Sequence, residues 1–146
     1  MYQHLGELYN LRVFKNITKS EAHHTSQVKM LIDRYRIKDP AANHKTGVFE
    51  NSELQSLYND LIEKGNMSID SAIIVGLMIE EKDIMGLQDA LDHIIQSADI
   101  QMVYSNLKRA SGNHLRAFYR QSEFYNLKYR PRYLCEAKFW NIIEEY

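Results

Sequence analysis

The sequence predicts an all-α protein. Apolar residues recur at helical spacing through three long stretches, only 2 Pro and 6 Gly interrupt 146 residues, and no β-branched run alternates as a strand would. Hydrophobic residues are 45% and charged residues 25%, the composition of a globular chain with a real core, and the length suits one domain over residues 1–146. A net charge of -1 gives no bulk field to gather nucleic acid or an anionic membrane. Cys135 is the single cysteine, so no intrachain disulfide can form and a reducing, cytoplasmic setting is expected. No apolar run approaches the roughly 20 residues that span a bilayer. The start, MYQHLGELYNLRVFK, lacks the basic residues and apolar block of a signal peptide. Neither an internal repeat, a Gly-rich phosphate loop nor a Gly-x-Ser-x-Gly elbow occurs.

Met1 to about Leu11 reads as a first helix with Met1, Leu5 and Leu8 on one face. No capping residue precedes it, and the apolar pattern is already running at Met1, as in a helix entered midway. A short terminal helix is the plainer reading. The second helix runs from about Phe14 to Arg36. With Glu21 at the centre of its wheel, Phe14, Ile17, Val28, Ile32 and Tyr35 fall within about 40°. His24 lies about 60° away and His23 points to the opposite side. A Glu-x-x-His pair therefore interrupts an apolar stripe. Thr18-x-x-Glu21 also fits a capping box, but Phe14 and Ile17 continue the stripe upstream and favour a helix that starts before Thr18. Asp39-Pro40 should stop it.

Ala41 to Glu50 reads as a loop anchored on the core by Val48 and Phe49. Asn51-Ser52 opens a short helix with Leu54, Leu57, Tyr58 and Leu61 on one face and Gly65 as its stop. The next helix opens at Ser68 or Asp70 and runs to about Ile94. Around Glu80, residues Ile73, Leu77, Ile84, Leu87, Leu91 and Ile94 lie within about 60°. Asp83 flanks Glu80 on one side, and Glu81, about 100° away on the other, belongs at the edge. A marginal Glu would snorkel outward; the central position of Glu80 argues against that.

Ser97-Ala98-Asp99 caps the last long helix, which runs to about Phe124. Around His114, residues Ile100, Val103, Leu107, Ala110, Phe118, Gln121 and Tyr125 come within about 40°. A lone core histidine is more often hydrogen-bonded than metal-bound. Asn113, Arg116 and Arg120 beside it could steady the imidazole or lie on the surface. Pro131 marks a turn, and Leu134 to Ile143 forms a final helix whose Phe139, Trp140 and Ile143 close one end of the core. The aromatic and basic residues before it resemble a base-stacking surface, but the stretch is short and ends acidic, so no nucleic-acid partner is expected. Cys135 has no base placed beside it and is expected as a small buried hydrophobe.

Three helices thus carry acid or imidazole in the middle of an apolar stripe: Glu21 with His24, Glu80 with Asp83, and His114. Carboxylate and imidazole together suit Fe, Mn or Zn. Helical bundles build metal sites on this plan, with Glu and Glu-x-x-His side chains projecting inward. Residues at i and i+3 can reach one ion because they lie one above the other. The alternative is a metal-free buried network in which Glu21 and Glu80 pair with His24 and His114.

The ordered segments FKNITKSEAHHTSQVKMLIDRYRIKDP, GVFENSELQSLYNDLIEKG, GLMIEEKDIMGLQDAL and YSNLKRASGNHLRAFYRQ resemble the ferritin-like superfamily, in its uncharacterised branch known as domain of unknown function 2202. The resemblance covers almost the whole chain. It implies a ferritin-like four-helix bundle with a short crossover helix, Asn51 to Gly65, and a C-terminal helix. It implies a metal site of Glu21, His24, Glu80, Asp83 and His114, with Glu81 competing with Asp83, and iron as the cofactor ahead of manganese or zinc. The implied role is iron binding or oxidoreductase-type chemistry. Two departures from the family pattern lead us to expect an incomplete site: the resemblance implies a Glu-rich first turn that would fall before Met1, and Ser111-x-x-His114 stands where Glu-x-x-His is common. The other function class is a non-enzymatic helical oligomerisation or partner-binding domain. A shortened first helix would leave core open for a second copy to cover, giving a homodimer.

Overall fold

A computed structural model describes residues 1–42, 44–93 and 97–145, and among them six α-helices and no strand occur. The all-α expectation holds. The chain divides into two compact units, Met1–Ser71 and Ala72–Tyr146.

The first unit holds α1 (Tyr2–Tyr9), α2 (Arg12–Arg34) and α3 (Ser52–Asn66). The expected first helix ends early because Asn10 adopts a left-handed conformation, φ 54°, and Leu11 is extended. That corner folds α1 back on α2. The ring of Tyr2 lies 6.1 Å from that of Phe14, and Leu5, Phe14 and Ile17 are buried. Leu8, expected on the same face as Leu5, is 52% exposed. The Thr18 hydroxyl donates to the Phe14 carbonyl at 2.8 Å. Thr18 is therefore inside α2 and caps nothing, as the upstream apolar stripe indicated.

α2 stops at Arg34, ahead of Asp39-Pro40, through a turn in which Arg36 takes φ 52°. Val48 is 48% exposed and does not anchor the loop, whereas the Phe49 ring packs 5.5 Å from that of Tyr58. Asn51 caps α3, its side chain accepting from the Leu54 N–H at 2.8 Å. Gly65 was expected to end this helix. It lies inside it instead, because α1 crosses there: a Cβ at Gly65 would sit 3.0 Å from Leu5 Cδ2. The Tyr9 hydroxyl also reaches the Gly65 carbonyl at 2.9 Å. The glycine serves close approach, and the helix runs on to Asn66.

The second unit contains α4 (Ile69–His93) from Ala72 onward, α5 (Ala98–Phe124) and α6 (Glu136–Glu144). The Ser68 hydroxyl starts α4 by accepting from the Ser71 N–H at 3.0 Å. Ile94, placed on its stripe from sequence, lies outside the described residues. α4 and α5 meet at Gly76, where a Cβ would stand 2.5 Å from the Phe118 ring. Ile73, Val75, Leu77, Leu115, Phe118 and Phe139 are fully buried. Arg116 ties α5 to α6 by donating to the Ile142 carbonyl at 2.7 Å. Trp140 is 37% exposed, so Phe139 alone of the expected aromatic pair fills the core. Cys135 is exposed, contrary to expectation: it is the N-cap of α6, where the chain has not yet turned its apolar face inward. None of the described helices is long and apolar enough to cross a membrane.

Candidate metal centre

Helical spacing along α4 puts Glu80 between Leu77 and Ile84, and all three are buried. The Glu80 carboxylate is entirely enclosed, as its central position on the stripe predicted. On α5, His114 is buried between Leu107 and Phe118. Its Nδ1 lies 3.5 Å from Glu80 Oε1. Ser111, one turn earlier, is also buried and contributes a hydroxyl where a carboxylate would add charge.

In the first unit, α2 brings His24 Nδ1 to 3.2 Å from Glu21 Oε1. The Ser20 hydroxyl lies 3.4 Å from the other ring nitrogen. The Glu21 side chain is 35% exposed and that of His24 14%, so this pair is partly wet while Glu80 is dry. His23 is exposed beside Gln27, on the opposite side as expected. Asp83, read as flanking Glu80, is exposed on α4.

Glu81 departs furthest from its expected place at the edge. It is fully buried. Its Oε1 accepts from the Tyr129 hydroxyl at 2.5 Å, and its Oε2 from the backbone amides of Arg132, Tyr133 and Leu134 at 2.9, 2.7 and 2.9 Å. Four donors, three of them backbone, offset the cost of burying a carboxylate. Burial pushes the Tyr129 phenol well above its ordinary pKa, and the hydrogen bond to Glu81 adds to it. Lys82 covers the Tyr133 ring at 4.4 Å. Adjacent acids therefore have different tasks. Glu80 faces the imidazole, and Glu81 pins residues 129–134. Its partners lie 48 to 53 residues away, beyond the reach of any helical wheel.

A buried carboxylate beside an imidazole can share a proton or offer oxygen and nitrogen to a cation. The donors are hard or borderline, and the sole thiol is at the exposed cap of α6. That set fits Fe, Mn or Zn and does not fit a thiolate-bound metal.

Comparison with known proteins supports a shared family. Over 143 residues the chain is 39% identical to uncharacterized protein MJ0754 of Methanocaldococcus jannaschii, covering 98% of this chain and 77% of that one. The crystal structure of hypothetical protein MJ0754 from Methanococcus jannaschii DSM 2661 superposes with a TM-score of 0.95, covering 99% of this chain and 82% of that one. A family described as an uncharacterized protein domain, DUF2202, matches residues 1–145, and the chain belongs to that family.

Proposed function

We propose that this is a ferritin-like metal-binding protein in which Glu80 and His114 hold a metal ion and Glu21 supplies a further carboxylate. The observation that carries this reading is the wholly buried Glu80 carboxylate 3.5 Å from the His114 imidazole. Two carboxylates and an imidazole are a donor set that suits a borderline divalent cation. His24 steadies Glu21 and stands as a fourth donor, while exposed Asp83 lies at the margin. Iron is the first choice, ahead of manganese or zinc, and bound iron would supply one-electron redox chemistry for an oxidoreductase-type role. The chain itself contributes enclosure: buried Leu77, Ile84 and Phe118 on the helices that carry Glu80 and His114 keep that pair dry and strengthen the charge interaction between them.

Elemental analysis of protein purified without chelator tests this, with Glu21→Ala and His114→Ala alongside. The expected result is a transition metal bound to the parent and lost from both variants. Equal, negligible metal in all three would end the proposal.

A further inference from the structure

A cavity of about 610 Å³ opens in the second unit between α4, α5 and α6, and it carries none of the residues assigned to the metal. Its volume falls in the range of small-molecule sites, roughly 300–1,000 Å³. Ile84, Leu134 and Ile142 give it an apolar floor. Gly112 belongs to that floor too, and a Cβ there would meet only Ile142 Cγ2, at 3.6 Å. The wall is therefore opened by the missing side chain of a helical residue.

The rim has six charged residues, three of each sign. The acids are already engaged. Asp89 lies 3.1 Å from His93, Asp92 accepts from Gln88 at 2.7 Å, and Glu145 lies 3.4 Å from Arg116. Among the cations, Lys108 is held by Gln88 at 2.6 Å. Arg109 has only a long contact to Asn106 on its own helix, 3.4 Å, which leaves most of its guanidinium donors for a ligand. Lys138 makes no hydrogen bond or ion pair among the described residues. The rim is balanced in charge, and the cationic donors most available to a ligand at the mouth of the apolar chamber are those of Arg109 and Lys138.

We propose that this cavity binds an aliphatic monocarboxylate, its chain on Ile84, Leu134 and Ile142 and its head between Arg109 and Lys138. The inference is independent of the metal. Calorimetric titration with decanoate below its micelle concentration tests it, with decylamine, decanol and acetate as companions. Decanoate should bind, decanol more weakly, and decylamine and acetate not measurably. Arg109→Glu/Lys138→Glu, two exposed changes, should weaken decanoate by roughly tenfold. Gly112→Leu should abolish binding by filling the chamber. If that variant does not fold, Asn141→Phe, which crowds the same mouth from α6, takes its place. Undetectable decanoate binding, acetate binding as tight as decanoate, equal binding of decylamine, or unchanged affinity in the charge-reversed variant would each overturn the proposal.

Discussion

Tyr129 donates to Glu81 across 2.5 Å while three successive amides converge on the other oxygen of the same carboxylate. This one side chain of α4 fixes where the chain travels between α5 and α6. The segment has no helix or strand of its own, so its N–H groups need an acceptor elsewhere. Removing Glu81 strands several donors at once. Glu81→Ala should lower unfolding free energy by about 3 kcal/mol or more, and Glu81→Gln, which keeps an acceptor oxygen, by less. Urea melts of both variants measure this. A loss below about 1 kcal/mol for the alanine variant would show that the segment is held by other means.

The same pair sets a pH limit. Burial and the bond to Glu81 raise the folded Tyr129 pKa above its ordinary value of 10.0. Above pH 10 the unfolded chain loses this proton and the folded chain keeps it. The folded state then binds more protons, so stability falls with rising pH through the alkaline range, and it is fully present below pH 10. Tyr129→Phe removes this slope. Melting temperatures of parent and variant should therefore differ most near neutrality and converge as the pH climbs past 10.

Gly76 is the point where α4 admits the Phe118 ring. A methyl group there would lie 2.5 Å from the ring, so Phe118 or the helix must move. Gly76→Ala raises helix propensity by up to about 1 kcal/mol, but overpacking costs about 1–3 kcal/mol. The net effect should be destabilising. Combining it with Phe118→Leu tests the cause, because relief of the clash makes the two changes non-additive in a double-mutant cycle. Strict additivity would place the strain elsewhere.

The parts legible in the sequence were those set by helical period. The long helices, the central burial of Glu80 and the buried side of His114 all follow from apolar spacing. Other features were not legible, for distinct physical reasons. Glu81 is buried by partners from a remote loop, and periodicity carries no information about them. Gly65 resembles a helix stop, yet its lack of a side chain makes room for Leu5 of another helix. Cys135 follows the preference of its residue type only until the start of α6 turns it outward. The wheel for α2 put Glu21 inward, but it could not say that its side chain would stay 35% exposed while Glu80 became dry.

That difference separates a metal site from a structural polar network. If Glu80 and His114 exist to hold an ion, their burial costs stability in the metal-free protein. Replacing such a pair with apolar residues of similar size is often neutral or stabilising by about 1–4 kcal/mol. Glu80→Leu/His114→Leu should therefore be at least as stable as the parent in chelator. Only the parent should melt higher on adding Fe(II), Mn(II) or Zn(II), because an ion that binds the native state alone stabilises it by mass action. Thermal melts in chelator and then with each metal read both quantities. A double variant that loses more than about 2 kcal/mol in chelator, with a parent indifferent to all three metals, would assign the pair to the architecture of α4 and α5.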